Sequence, residues 1–185
     1  QCFSPKIGGI ESLMTGMADA MSEVGKDVLV LADGRNTTDD KNKKYKIKRF
    51  SGWKPYRRRR KAIYLKKFIE NNNVEAIYAD SWKSIEYLKD VNIKIIVLAH
   101  GTEIPKKYFD SFYAYLNIKK RRIIKSYVNC QKIAANSAYT RDLMIASLKI
   151  NSDKIKIIHP GIDIYEDFIS IEDRLNVKKI IKDSS

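Results

Sequence analysis

The chain contains two histidines, and each follows an apolar run that predicts a buried strand. His100 comes after IKIIVLA and opens the sequence HGTE, whereas His159 comes after IKII and opens HPGID. His100, at the end of a buried strand and followed by a glycine that exposes backbone, is suited to contact a small polar ligand. The alternative for His100 is a structural one, in which the ring only caps the strand by bonding to a loop carbonyl.

Two adjacent glycines, Gly8 and Gly9, precede an amphipathic pattern in residues 11–24. Glycines at a helix N-terminus let backbone amides approach an anion closely, with the positive end of the helix dipole behind them. This arrangement suits a phosphate or a diphosphate, although a tight turn without a ligand has the same sequence. The spacing fits neither a P-loop nor a dinucleotide-binding fingerprint.

A third motif, NSAYTRD, begins with Asn136 and Ser137. Ser137 is a natural helix N-cap, and by itself a plain cap is the simpler interpretation. The sequence HPGID is a strand interrupted by Pro-Gly, which by itself predicts a turn or a hinge.

These motifs lie between elements that alternate along the chain. Five short apolar runs predict strands at 28–32, 74–78, 93–99, 132–135 and 155–159, and helical patterns cover 11–24, 57–70, 82–89, 107–128 and 138–148. The alternation predicts a three-layer α/β domain with a doubly wound, Rossmann-like parallel sheet. Such sheets bind ligands beyond the carboxyl ends of their strands, which is where both histidines fall.

Taken together, the GGIE loop, HGTE, NSAYTRD and HPGID resemble the N-terminal domain of a GT-B fold glycosyltransferase of family 4. The resemblance extends from Ser4 to Asp163. It implies that residues 1–163 form the acceptor-side domain with most of its first strand missing, and that 164–185 form an interdomain linker or terminal helix. The resemblance also implies that the C-terminal nucleotide-binding domain of the family is absent from these residues.

The resemblance implies a hexosyltransferase that transfers a sugar, with retention, from a nucleotide-sugar donor to a saccharide or membrane-linked acceptor. The product would be a glycan, lipopolysaccharide or glycolipid, and the domain alone is expected to be inactive. No cofactor and no metal are implied, in keeping with the lack of a DxD triplet. Carried over to this sequence, the catalytic residue is His100, and the donor- or acceptor-binding residues are Gly8, Gly9, Gly101, Asn136 and Ser137.

The charge of the chain is concentrated in one segment. The 185 residues carry 36 Lys and Arg against 22 Asp and Glu, a net charge of +14. Fourteen of the basic residues and no acidic residue lie in 41–69, which we call the basic segment. We expect this segment to bind an anionic membrane surface, with Tyr45 and Phe50 at the interface. The residues predicted to make the contact are Trp53, Arg57, Arg58, Arg59 and Arg60.

Two other properties bound the function. No apolar run approaches the roughly 18 to 20 residues of a membrane span. The two cysteines lack metal-site spacing and indicate a reducing compartment. The expected location is therefore cytoplasmic, peripheral to the inner face of the plasma membrane.

Aromatic and basic residues also alternate in 107–128, where core packing is the alternative to membrane contact.

Two other classes of protein fit parts of the sequence. Basic residues among aromatics also suit a nucleic-acid-binding domain, but no known recognition motif is present and the strand-end motifs would be left unexplained, so no nucleic-acid partner is expected. A non-catalytic sugar- or lipid-binding module built on half of a GT-B fold would retain the same strand-end residues. A solvated surface is the structural alternative for the basic segment.

Overall fold

The computed structural model describes residues 2–89, 91–105 and 114–161, with the backbone alone described for 114–117. Helices and strands alternate through most of these ranges. In chain order the elements are α1 Gly9–Glu23, β1 Leu29–Asp33, β2 Lys46–Phe50, α2 Lys54–Asn71, β3 Ala76–Ala79, α3 Trp82–Ile85, β4 Lys94–Ala99, α4 Ala114–Val128, β5 Lys132–Ala135, α5 Ala138–Leu148 and β6 Ile155–Ile157, with 3₁₀ turns at Thr38–Asn42 and Ser152–Lys154.

Every strand pair among the described residues is parallel. One ladder joins β1 to β2, and a second has the order β3-β4-β5-β6. In the second ladder Val97 pairs with Ile133, and Ile133 pairs with Ile155. Parallel strands joined by helices give the predicted Rossmann-like α/β fold, which is thereby confirmed.

One strand was absent from the sequence prediction. Residues 46–50 (KIKRF) form β2, where Lys46 and Lys48 are exposed and Phe50 is buried. The lysines alternate with inward-facing residues at the period of two that a half-buried strand requires. Because β2 lies inside the basic segment, the sequence analysis treated its lysines only as surface charge and missed their alternation with inward-facing residues.

The core consists of two clusters. The larger one surrounds β4 and β5, where Val97, Ile133, Tyr127 and Met144 have no measurable exposure. The smaller one packs α1 against β1 and β2 and contains Phe3, Ala18, Ala32 and Tyr45. Tyr45 is 7% exposed and Phe50 is 5% exposed, so the expectation that they lie at a membrane interface is wrong. They are core residues that anchor β2.

Helix boundaries follow local signals. The Ser137 hydroxyl caps α5 by accepting from the amide of Thr140 at 3.1 Å, and Lys149 in the left-handed region ends the same helix. Gly25, at φ +80°, follows the end of α1. Helix α3 is shorter than predicted, ending at Ile85. Residues 107–113 of the predicted fourth helix and 162–185 of the tail lie outside the described part of the chain.

Candidate functional site

A cavity of about 320 Å³ opens at the carboxyl ends of β3 and β4, beside the first turn of α1. It combines acidic, basic and hydroxyl side chains within one small volume. The lining residues are Cys2, Ile10, Asp80, Ser81, Lys83, His100, Thr102, Glu103 and Lys119. The position is the ligand-binding edge of an open parallel sheet.

His100 is anchored to the neighbouring strand end. Its Nε2 lies 2.9 Å from the carbonyl oxygen of Asp80. Because a carbonyl oxygen only accepts, Nε2 must carry the proton, and in the neutral ring Nδ1 is then the accepting nitrogen. The contact matches the strand-capping alternative. It also fixes the ring at the cavity wall and leaves Nδ1 to accept a hydrogen bond from a ligand. The catalytic role of His100 stays a prediction.

Asp80 joins the N-terminal segment to the cavity. Its side chain, in a residue that is 2% exposed, accepts from the backbone amide of Cys2 at 2.9 Å and from the hydroxyl of Ser84. Burial, together with the nearby carboxylate of Asp80, raises the pKa of the Cys2 thiol to about 12. The carboxylate of Asp80 thus forms part of the cavity wall, and the hydrogen bonds from Cys2 and Ser84 hold it in place.

The glycine pair lies where the sequence predicts, at the start of α1. Gly8 is the N-cap and Gly9 is the first helical residue, followed at once by the cavity residue Ile10. A Cβ built on Gly9 would meet nothing within 4 Å, whereas a Cβ built on Gly8 would lie 2.5 Å from the Glu11 carboxylate, so only the Gly9 side of the helix start is open. The amides of the first turn have no intrahelical acceptor and are suited to an anion. Contact with a diphosphate stays a prediction for both glycines.

The HGTE and NSAYTRD motifs meet through Thr140. Gly101 has φ +81°, and a Cβ there would lie 2.8 Å from Thr140 Oγ1. That hydroxyl donates to Asn136 Oδ1 at 2.6 Å, while the Ser137 hydroxyl lies 3.1 Å from it. Gly101 is thus required for close approach of β4 to α5. The polar groups of Asn136 and Ser137 are used in this capping network, and their ligand contacts stay predictions.

Glu103 is a lining residue that the sequence interpretation left without a role. Its Oε1 accepts a hydrogen bond at 3.0 Å from the hydroxyl of the fully buried Tyr127. Burial raises the pKa of Glu103 to about 7, and the pKa of Tyr127 is also well above its ordinary value because of burial and the adjacent carboxyl group. The available sequence signal was an acidic residue three positions after a strand-end histidine.

The four consecutive arginines have two different environments. Arg57 donates to Asp33 Oδ2 at 2.6 Å and to the Gly52 carbonyl at 2.7 Å, and Arg58 pairs with Glu86 at 3.4 Å. Arg59 and Arg60 are exposed. Arg59 lines a shallow depression of about 420 Å³ with Trp53, Pro55 and Tyr56. None of these four residues lines the cavity at His100.

Arg49 is a buried supporting residue that the sequence analysis treated only as part of the charge of the basic segment. Its side chain is 3% exposed and forms two hydrogen bonds to the carboxylate of Asp40, at 2.6 and 2.7 Å. It also donates to the carbonyl oxygen of Ser4, in the loop that leads to the glycine pair. Arg49 therefore belongs to the support of the site and not to a membrane-facing surface.

Metal-binding clusters and membrane-spanning helices are both absent from the part of the chain that the structure describes. Within the described ranges, no cluster of three or more His, Cys, Asp or Glu side chains is placed to hold a metal ion. Among the helices of the described residues, none has the length and apolar character needed to cross a membrane.

A Rossmann-like domain with a polar cavity at its strand ends is the architecture of one half of a GT-B glycosyltransferase. The sequence profile described as Glycosyltransferase Family 4 matches residues 7–166, and the chain belongs to this family. The identification expected from the motifs is confirmed. No curated protein sequence matches the chain.

Solved structures show the same fold. HepE of Anabaena, crystallised with UDP and glucose, is similar with a TM-score of 0.64 at 16% identity, over 97% of this chain and 48% of HepE. A glycosyltransferase from Rickettsia africae ESF-5 is similar with a TM-score of 0.54 at 15% identity, over 94% of this chain and 45% of that protein. The chain spans about half the length of these structures, and at such identities the likeness establishes the fold.

Proposed function

We propose that this chain is the acceptor-side domain of a glycosyltransferase that transfers a sugar from a nucleotide-sugar donor, with retention and without a metal ion. The observation that carries the proposal is the cavity in which the start of α1, His100 and two lysines meet. Family membership supports it, and so does the binding of UDP and UDP-glucose by the structurally similar HepE.

In the proposed reaction, the bond between the sugar C1 and the diphosphate breaks. The acceptor hydroxyl forms the new bond on the same face of the sugar, and its proton passes to the departing diphosphate. The amides after Gly8, with the helix dipole behind them, stabilise the negative charge that develops on that diphosphate. Lys83 and Lys119 add positive charge at the same cavity. A hydroxyl of the sugar donates a hydrogen bond to Nδ1 of His100, which orients the sugar.

The test is the release of nucleoside diphosphate from UDP- and GDP-sugars by the protein at its natural length. His100→Ala should lower turnover by a factor of tens or more, because the ring touches substrate and its loss leaves the buried core intact. His159→Ala is the matched control, because His159 is exposed after β6 and does not line the cavity. If both variants are folded and both turn over substrate as fast as the wild type, His100 serves only as a strand cap. Sugar binding without turnover in the wild type would favour the non-catalytic module.

We further propose that the acceptor is lipid-linked or lies at a membrane, and that the domain binds the cytoplasmic membrane face through the start of α2. Trp53 is 77% exposed and Tyr56 is 61% exposed, and the exposed Arg59 and Arg60 lie on the same helix. Exposed aromatics beside cations are suited to the interface of an anionic bilayer. Arg57 and Arg58 take no part, since both are held in internal ion pairs.

A further inference from the structure

Glu103 presents a carboxyl group to the cavity that the proposed mechanism does not use. It belongs to a tight turn after β4, closed by a hydrogen bond from the amide of Ile104 to the Gly101 carbonyl at 3.2 Å. Ile104 is 4% exposed and anchors this turn in the core. On the carboxyl group, Oε1 is occupied by the Tyr127 hydroxyl. The residue is thus held in place by packing on one side and by a hydrogen bond on the other.

The charged and titratable groups that face Glu103 come from every element around the cavity. Lys83 of α3 and Lys119 of α4 favour the carboxylate, while Asp80 at the end of β3 opposes it. Tyr127 of α4 donates to it, and His100 and Cys2 line the same cavity. Burial outweighs the lysines and the tyrosine, and it raises the pKa of Glu103 to about 7. Much of the protein therefore carries the neutral acid at slightly acid pH.

A neutral carboxyl group has a property that the ionised one lacks, because only the acid can donate a hydrogen bond. The oxygens of a sugar, and those of a phosphate or carboxylate on an acceptor, all accept such a bond. An ionised Glu103 would repel an anionic group in the same cavity.

We propose that Glu103 is a substrate-contacting residue of this cavity, whose carboxylic acid form donates a hydrogen bond to an oxygen of the bound sugar substrate. Tyr127 is a positioning residue for this group. The inference rests on the proposed transferase function and adds a residue and a pH dependence to it.

The experiment measures kcat/KM for nucleoside diphosphate release between pH 5.5 and 8.5, with a panel of UDP- and GDP-sugars and a lipid extract of the producing cells as acceptor. The protein is used at its natural length. For the wild type, kcat/KM should fall about tenfold between pH 6 and pH 8, as the acid ionises. Glu103→Gln keeps a donor but cannot ionise, so it should retain activity within about tenfold at pH 6 and lack this fall.

Tyr127→Phe provides a readout that a merely structural residue would not give. The phenol hydrogen bond stabilises the carboxylate, so its removal should move the fall in kcat/KM to higher pH by roughly one unit. Glu75→Gln is the matched control, because Glu75 is exposed near the opposite end of β3 and should leave the profile unchanged. Circular dichroism at pH 6 verifies that each variant is folded.

The outcomes separate the two proposals. If the wild type is active but Glu103→Gln shows the same pH profile, the inference about Glu103 is wrong and the transferase function stands. A folded Glu103→Gln protein that is inactive at every pH would also overturn it, since the amide still supplies a donor. If the wild type releases no nucleoside diphosphate from any donor in the panel, the transferase function fails and the inference fails with it.

Discussion

The Nη2 atom of Arg49 lies 2.5 Å from the carbonyl oxygen of Ser4. A side chain of β2 thereby holds the loop that precedes Gly8 and Gly9. The same guanidinium binds Asp40 through two hydrogen bonds, so one buried ion pair supports both the turn after β1 and the loop before α1. A net positive segment of the sequence therefore contributes internal structure as well as surface charge.

Replacing Arg49 should destabilise the domain and disturb the glycine loop. Arg49→Gln leaves the carboxylate of Asp40 without its partner, and breaking such a pair costs about 3 kcal/mol or more. Urea unfolding at pH 7 measures the loss, and the double variant with Asp40→Asn should recover part of it. Arg35→Gln, at an exposed position, is the control. Equal unfolding midpoints for Arg49→Gln and the wild type would contradict a structural role for the pair.

The same pair predicts a loss of stability in acid. The hydrogen bonds from Arg49 lower the pKa of Asp40 to about 2, below its ordinary value. A depressed pKa stabilises the fold at a pH above about 4, and a contribution of at most about 2 kcal/mol, reduced by solvent screening, is lost as the pH falls from 4 toward 2. Asp40→Asn should flatten the dependence of the unfolding free energy on pH in this window. An unchanged slope would show that Asp40 is not the group that titrates.

Gly101→Ala should be more damaging than backbone strain alone explains. Gly101 and Gly25 have nearly the same φ, +81° and +80°, but only a Cβ at position 101 meets a neighbour, Thr140 Oγ1 at 2.8 Å. Gly25→Ala therefore measures the strain, on the order of 1 to 2 kcal/mol. The excess in Gly101→Ala measures the contact, and Thr140→Ala should reduce this excess in the double variant. Identical thermal melting of the two single variants would exclude the contact.

Asp33→Asn should strongly destabilise the domain, because Asp33 at the end of β1 binds two cations of α2. Asp33 accepts from Lys61 at 2.5 Å and from Arg57 at 2.6 Å, and all three side chains are at most 15% exposed. Burial alone would raise the pKa of Asp33, but the two cations hold it below its ordinary value. Removing the carboxylate leaves two buried cations together, at a cost of about 3 to 5 kcal/mol. Asp39→Asn, on the exposed turn, should change the urea midpoint little.

Neutralising Arg59 and Arg60 should weaken binding to anionic vesicles. Two charges at about 1 kcal/mol each, reduced by salt, correspond to about a tenfold loss of affinity. Flotation with phosphatidylserine vesicles measures the effect for Arg59→Gln/Arg60→Gln, and Trp53→Ala should add to it. Lys41→Gln/Lys44→Gln removes the same charge from exposed positions outside α2. Replacing all four arginines would confuse the result, because Arg57 and Arg58 hold internal ion pairs.

Two other outcomes would contradict the membrane proposal. The first is equal flotation of the Arg59→Gln/Arg60→Gln protein and the wild type. The second is displacement of the wild type from vesicles by low concentrations of single-stranded RNA at equal salt, which would favour a nucleic-acid partner.

The sequence was most informative where local signals decide the structure. Helix α5 was predicted with its observed bounds, because Ser137 caps one end and a change of pattern marks the other. Strand β5 was predicted equally well from its continuous apolar run. The strand-end position of His100 followed from the same reasoning.

What could not be predicted depends on contacts between distant residues. Arg57 and Arg58 are neighbours of Arg59 in sequence, yet only the fold brings Asp33 and Glu86 to them. Strand β2 was hidden because its exposed lysines dominate a five-residue segment. The role of Glu103 depends on Tyr127, 24 residues later in the chain, and no local pattern links the two.

The shielded state of Cys2 makes the domain suitable for selective fluorescent labelling. Thiols react as thiolates, and the pKa of Cys2 near 12 and that of Cys130 near 11, both raised chiefly by burial, leave almost no thiolate at neutral pH. A cysteine introduced in place of the fully exposed Ile7 would therefore be modified first by a maleimide dye. Placed next to Gly8, such a dye would report the arrival of a nucleotide sugar at the start of α1 in real time, without removal of either native cysteine.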